Sequence, residues 1–273
     1  MKTDSLRYRI RSIALSVVFA TIGFVFVLLL TKLLGIELSK VQKGLVAFLV
    51  TTILSLSLFP KVFKIPFRKQ TIAEWLSSLG VYFPQKFSHH IILGVLLGVV
   101  SLLGMLIASL MTGKYEFNLS NLSLGHFIFC LTPGIWEEIF FRGVIMMVLI
   151  SMFKNLRKAF WWQVFIFSAC HLKSLSITGG IEIVSVFIIG ITFTLLAVKT
   201  RCLIAGIIYH YIHDAFLYLV QTPGGKYHGF EDQFTFYVFL WSAMLINIII
   251  INLASDVLKI KSNKMIMTLM SPK

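Results

Sequence analysis

The chain contains repeated apolar stretches that are each long enough to cross a lipid bilayer as a helix. The first runs from Ile13 to about Leu34, and comparable stretches follow along the sequence. A helix needs about 20 mostly apolar residues to span a hydrocarbon core, where the absence of water forces backbone groups to pair within the helix. Hydrophobic residues make up 58% of the chain and charged residues only 13%, more apolar sequence than a soluble core absorbs. These features predict an all-α, polytopic transmembrane helical bundle.

We predict about eight spanning helices in a single membrane domain. Basic and aromatic residues between the second and third helices, from Lys61 to Phe87, indicate an amphipathic segment at the membrane interface. The domain divides into residues 1–125, with three helices and this segment, residues 126–221, and residues 222–273, with the last helix and a basic tail. The predicted helices cover approximately 13–34, 44–60, 91–112, 126–150, 159–177, 181–198, 202–221 and 234–254.

The positions of the basic residues predict the orientation of the chain. With eight crossings, 18 Lys and Arg residues fall on the side that holds both termini and 6 fall on the other side. The positive-inside rule then places both termini in the cytoplasm of a multi-pass protein of the cell membrane. The net charge of +14 does not indicate nucleic-acid binding, because the basic residues sit in short connections and form no aromatic reading surface.

Three charged residues, Glu137, Glu138 and Arg142, fall inside the fourth predicted helix. A charge at the bilayer centre costs about 2.5–3.5 kcal/mol even on the mildest insertion scale, so such residues mark a functional site unless they serve only as a packing ion pair. In an α-helix Glu138 and Arg142 are about 40° apart and can pair, whereas Glu137 and Arg142 are about 140° apart. Glu137 is therefore the freer carboxylate.

Two histidines and an aspartate are predicted to reach the same depth from other helices. His171 lies in the fifth predicted helix and His210 in the seventh, and the rise per residue places both near the level of Glu137. Asp214 follows His210 by one turn on nearly the same face, where it can orient the histidine or stabilise charge. Each histidine alone would more often serve packing, but their common depth favours a shared site.

The polar residues form three strings that resemble the motifs of a known family. Residues Glu137 to Arg142 read EEIFFR, residues Phe167 to His171 read FSACH, and residues His210 to Asp214 read HYIHD. In order and spacing they are similar to the EExxxR, FxxxH and HxxxN/D motifs of the CPBP family of CAAX-type prenyl endopeptidases and bacteriocin-processing or immunity proteins. The resemblance covers approximately residues 126–220 and identifies residues 126–221 as the catalytic core.

The resemblance implies an intramembrane endopeptidase of the glutamate type. By carry-over, Glu137 and His171 would activate a water molecule, and His210 and Asp214 would stabilise the oxyanion of the tetrahedral intermediate. Glu138 and Arg142 would tune and brace the site. Asp214 departs from the Asn that many members have at this position, so it must be protonated or paired with a histidine to help an oxyanion.

Several alternatives stay open at this stage. Glu137, His171 and His210 could hold zinc, although the chain has no HExxH string and a glutamate mechanism requires no cofactor. The same polar cluster could shape a non-proteolytic membrane regulator or bacteriocin-immunity scaffold, or a proton-coupled transporter. The expected partners are the lipid bilayer and a peptide or membrane-protein substrate. The sequence decides neither the substrate, including whether it is prenylated, nor the oligomeric state.

Overall fold

The computed structural model describes residues 77–258, except for 78, 85, 114, 120–122, 172–176 and 222–229. The first two predicted helices and most of the predicted interfacial segment lie outside these residues. The elements are α1 (Phe87–Thr112), β1 (Glu116–Phe117), α2 (Leu124–Glu137), a π-helical segment (Glu138–Ile145), α3 (Met146–Phe153), α4 (Leu156–Cys170), α5 (Ile177–Thr200), α6 (Ile204–Leu217), β2 (Val220–Gln221) and α7 (Phe230–Leu258).

The fold is mostly helical, as the sequence predicts. In the described part of the chain, three helices are long and apolar enough to cross a membrane: Phe87–Thr112, Gly180–Thr200 and Glu231–Ala254. The α2, π and α3 segments form one uninterrupted helical course from 124 to 153. The number of eight spanning helices stays a prediction, since part of the chain lies outside the described residues.

Two predicted helices end earlier than the hydropathy pattern indicated. The fifth was expected over 159–177, but α4 ends at Cys170 and His171 has left the helical conformation with φ −99° and ψ 2°. The seventh was expected to reach 221, but α6 ends at Leu217 and Val220–Gln221 forms β2. This strand pairs antiparallel with β1, with Phe117 opposite Val220. A strand of two residues is too short for any periodic pattern, so hydropathy could not separate it from the helix before it.

Helix α6 lies between α1 and α2, and two glycines allow it to pack closely against α1. A Cβ atom added at Gly94 would lie 2.7 Å from the carbonyl oxygen of Ala205, and one at Gly98 would lie 2.6 Å from Cγ2 of Ile212. Such distances mean that the helix axes can approach this closely only because both positions lack a side chain. Small residues four apart are a recurring device for packing helices in membranes. The position of α6, which carries His210 and Asp214, therefore depends on these glycines.

A buried polar cluster joins α6 to α1 and α7. The hydroxyl of Tyr209 lies 3.1 Å from Oγ of Ser101 and accepts a hydrogen bond of 3.1 Å from Nδ2 of Asn247. The same amide group donates to the carbonyl oxygen of Leu97 at 3.0 Å. All three side chains are fully buried. Polar groups paired across helices in this way fix the register of the packing, because a slip would leave them without partners.

Candidate active site

The two adjacent glutamates lie where the helix changes its geometry. Glu137 ends α2, and Glu138 begins the π-helical segment. At the end of that segment the N–H of Met146 donates to the carbonyl oxygen of Phe141, five residues earlier. In a π-helix residues five apart lie nearly above one another, so Glu137 and Arg142 are closer around the axis than in an α-helix. Such segments occur frequently at functional sites.

Glu138 is fully buried and accepts two hydrogen bonds at one oxygen atom. Nη1 of Arg142 and Nδ1 of His210 each lie 3.0 Å from its Oε1. The carboxylate packs on the backbone of α6, where a Cβ atom added at Gly206 would lie 3.1 Å from its Oε2. The expected pairing of Arg142 with Glu138 is therefore confirmed. Because a carboxylate can only accept, His210 holds its proton on Nδ1 in this contact.

The guanidinium of Arg142 is completely buried and lies against aromatic rings. Its Cζ atom is 4.0 Å from the ring centroid of Phe167 and 5.0 Å from that of Phe193. Within the described part of the chain, its Nε and Nη2 atoms have no hydrogen-bond partner. The ring faces thus supply the remaining stabilisation of this charge through cation–π attraction.

Glu137 faces the two histidines that were predicted to join it. Its Oε2 lies 3.6 Å from Nε2 of His171 and 3.9 Å from Nε2 of His210. The side chain of Glu137 is 12% exposed and that of His171 is 30% exposed, whereas Glu138 is not exposed at all. Glu137 is thus the more accessible of the two glutamates, and His171 at the end of α4 is the most accessible residue of the group.

The ring orientation of His171 is set by its own helix. Its Nδ1 lies 2.8 Å from the carbonyl oxygen of Phe167, which can only accept, so Nδ1 carries the proton. In the neutral ring Nε2 then has a free lone pair, and this atom faces Glu137. Two acceptors that face each other in this way are suited to receive both O–H groups of one water molecule.

Asp214 completes the cluster from the next turn of α6. Its Oδ2 lies 3.6 Å from Nε2 of His210. The His210 ring is stacked on Phe193, with ring centroids 4.5 Å apart and an interplanar angle of 24°. The structure therefore brings together all six of the residues singled out in the sequence, namely Glu137, Glu138, Arg142, His171, His210 and Asp214.

Other contacts at the site were not foreseen from the sequence. Phe193 is one of 25 phenylalanines in an apolar chain, and no pattern distinguishes it from its neighbours. His126 stands at the predicted start of the fourth helix, and its Nε2 lies 2.9 Å from the carbonyl oxygen of Ala215. This contact ties the start of α2 to the end of α6 and helps to hold together the two helices that carry Glu137 and His210.

The metal alternative concerned Glu137, His171 and His210. In the described part of the chain, no group of three His, Cys, Asp or Glu side chains is arranged so that it could hold a metal ion. We therefore derive no step of the chemistry through a metal.

Comparison with known proteins bears on the same region. Residues 119–216 match the family model described as "Type II CAAX prenyl endopeptidase Rce1-like". The match contains the three motif strings and all six site residues, and it overlaps most of the expected core at 126–221. It confirms the family resemblance that the motifs indicated. No curated protein and no solved structure matches the chain significantly.

Proposed function

We propose, from the match of residues 119–216 to the CAAX-type endopeptidase family, that this protein is an intramembrane endopeptidase in which Glu137 activates the attacking water. The family is a family of proteases, and the apolar helices mark a membrane protein. The glutamate mechanism and the role of each side chain are our proposal. The observation that carries it is the approach of Glu137 to His171, which leaves two acceptors facing each other across 3.6 Å.

In the proposed first step a water molecule donates one O–H group to Oε2 of Glu137 and the other to Nε2 of His171. Glu137 takes a proton as the water oxygen forms a bond to the carbonyl carbon of the substrate, and the carbonyl oxygen becomes an oxyanion. General bases of this kind typically contribute about 10²–10⁴-fold to the rate. The proton on Glu137 then passes to the amide nitrogen, the C–N bond breaks, and the carboxyl and amine products separate.

The oxyanion is stabilised in this proposal by His210 and its neighbours. Glu138 holds the Nδ1 proton of His210, so that a proton on Nε2 makes the ring a cationic donor toward the substrate. Asp214 lies beside Nε2 and stabilises that positive charge. An aspartate can therefore serve at this position, where many members of the family have Asn. A preorganised donor in a water-poor site is usually the largest single contribution to acyl-transfer catalysis.

The substrate class follows only in part from the family. The matched description names a prenyl endopeptidase with CAAX substrates, so a prenylated CAAX peptide is the first probe to use. We propose a peptide or a membrane-associated protein as the natural substrate, reached from the cytoplasmic side of the cell membrane.

The decisive experiment compares the wild-type protein with Glu137→Gln in two assays. The first measures cleavage of a prenylated CAAX peptide, and the second identifies the protein termini in membranes of cells that express each protein. Glu116→Gln is the matched control, because Glu116 is an exposed glutamate on β1. We expect new termini with the wild-type protein and the control, and about 10²–10⁴-fold slower cleavage with Glu137→Gln.

Three other outcomes would contradict the proposal. Full activity of Glu137→Gln would exclude the glutamate mechanism. Activity that is lost with a chelator and restored by zinc would favour the metal alternative. A cellular phenotype that survives Glu137→Gln, with no new terminus in any membrane, would favour a regulator or immunity scaffold.

A further inference from the structure

Phe193 on α5 contacts both groups that donate to Glu138, although it belongs to none of the three motif strings. Its ring is stacked on that of His210 at 4.5 Å between centroids, and Cζ of Arg142 lies 5.0 Å from its centroid. Only 1% of Phe193 is exposed. A single apolar side chain thus touches the two donors whose hydrogen bonds meet at Oε1 of Glu138.

The charge of Arg142 depends on aromatic contact for its stabilisation more than that of a typical buried arginine does. Of its five N–H groups, the described part of the chain provides a hydrogen-bond partner only at Nη1. Guanidinium–ring attraction is strongest where water is excluded, which is the case here. If the ring of Phe193 were removed, the guanidinium would lose one of the ring faces packed against it while it donates to Glu138.

The ring of Phe193 is itself held by the packing of α5 on α4. Thr194, the next residue, donates a hydrogen bond to the side-chain oxygen of Gln163 on α4, and both are fully buried. One turn earlier, Gly190 allows close contact with the ring of Phe167, since an added Cβ atom would lie 3.1 Å from Cδ1 of that ring. The helices that carry the two rings nearest Arg142 are therefore held together by specific contacts in addition to apolar packing.

We propose that Phe193 is a positioning residue of the active site. Its ring holds Arg142 and His210 in the geometry in which both donate to Oε1 of Glu138, and it thereby aims Nε2 of His210 at the reacting carbonyl oxygen. The kinetic part of this inference rests on the proposed function, whereas the effect on the His210 ring does not require that the protein be a protease.

The test uses three variants of the full-length protein. Phe193→Leu removes the ring, Phe193→Tyr keeps its face, and Phe236→Leu is the matched control, because Phe236 is a similarly buried phenylalanine, 3% exposed, whose ring contacts Tyr115. The ¹⁵N resonances of the labelled histidines report which ring nitrogen carries the proton, and His210 is assigned by the signals that disappear in His210→Asn. If Phe193→Leu does not fold, Phe193→Met replaces it.

We expect the wild-type protein, Phe193→Tyr and Phe236→Leu to share one His210 signature, that of a proton held on Nδ1 in the hydrogen bond to Glu138. In Phe193→Leu the Nδ1 resonance should shift or broaden because this hydrogen bond is no longer fixed, together with a fall in kcat of about 10-fold at nearly unchanged KM, since a misplaced catalytic group costs up to about 10²-fold.

An unchanged His210 signature in Phe193→Leu would overturn the proposal, and so would an equal change in Phe236→Leu. If the signature changes in Phe193→Leu alone while the wild-type protein shows no cleavage that depends on Glu137, the positioning role holds and the proposed function fails.

Discussion

Nε2 of His171 and Oε2 of Glu137 face each other at 3.6 Å, and both atoms are acceptors when the imidazole is neutral. This follows from the contact at the other side of the ring, where Nδ1 donates to the carbonyl oxygen of Phe167 at 2.8 Å. The two residues are therefore suited to a shared third molecule that brings two donors. Water is the small molecule with that property, and it would keep its lone pairs free for attack.

The first prediction follows from this shared role. Glu137→Gln and His171→Ala should each lower kcat by about 10²–10⁴-fold, because Gln can accept a hydrogen bond from the water but cannot take its proton, and Ala removes the acceptor at Nε2. The double variant should be little worse than the weaker single variant, since residues that act on one molecule as a unit are strongly non-additive. The measurement is kcat for a prenylated CAAX peptide with all three purified proteins. Losses that multiply would show that the residues act at separate steps.

The second prediction concerns the buried charge that braces the site. Arg142→Met should destabilise the protein by about 3–5 kcal/mol, because it removes one donor from the buried carboxylate of Glu138. Arg157→Met, at an exposed position on α4, should leave stability nearly unchanged. The unfolding of both purified variants in the same detergent measures the difference. Equal stability of the two would mean that His210 alone satisfies Glu138.

The sequence predicted the members of the site better than the reasons for their arrangement. The pairing of Glu138 with Arg142 was predicted from α-helical angles, and the pair is present at 3.0 Å. The segment that holds it is a π-helix, however, and that geometry brings residues five apart, such as Glu137 and Arg142, closer around the axis than an α-helix does. No single-sequence pattern distinguishes a π segment from an α-helix, because the two differ by one residue per hydrogen-bonded turn.

The ends of the helices were the least predictable part of the fold. His171 was placed inside a helix expected to reach residue 177, but it follows the last residue of α4, and this end position leaves its ring partly accessible. The contact of Phe193 with His210 could not be predicted from the sequence, for a different reason. In a bilayer almost every face of a helix is apolar, so the pattern that marks a buried face in a soluble protein is absent.

The third prediction concerns the close packing of α6 against α1. Gly98→Ala should destabilise the protein by about 1–3 kcal/mol, since overpacking a close contact forces the backbone to shift. The added Cβ atom would lie 2.7 Å from Cβ of Ile212, an atom that cannot move without its helix. Gly180→Ala is the matched control, because no atom of the described residues lies within 4 Å of the added atom there. Activity should fall in Gly98→Ala alone, and equal behaviour of both variants would contradict the role of the glycines.

The fourth prediction concerns orientation in the membrane. The distribution of 18 basic residues on one side and 6 on the other, over eight proposed helices, places Lys114 and Lys226 outside and the C-terminus inside. Reporter fusions at these three points should give outside, outside and inside, respectively. Any other pattern would require an odd number of crossings or an inverted protein, and it would move the site away from the cytoplasmic route proposed for the substrate.

The last prediction separates the two residues assigned to the oxyanion. His210→Asn should lower kcat by about 10²–10³-fold, the usual cost of losing one donor to a tetrahedral intermediate. Asp214→Asn should stay within about 10-fold of the wild-type rate, because the amide oxygen can still accept from Nε2 of His210 while its N–H group donates to the oxyanion. Asp214→Leu, which has neither group, should be as poor as His210→Asn.

Rates of the three variants against the same peptide decide this prediction. If Asp214→Asn loses as much activity as Asp214→Leu, the negative charge beside His210 at 3.6 Å is what the reaction requires. Asp214 then acts by stabilising a cationic imidazole, and not as a replacement for the amide donor that many proteins of the CPBP family have at this position.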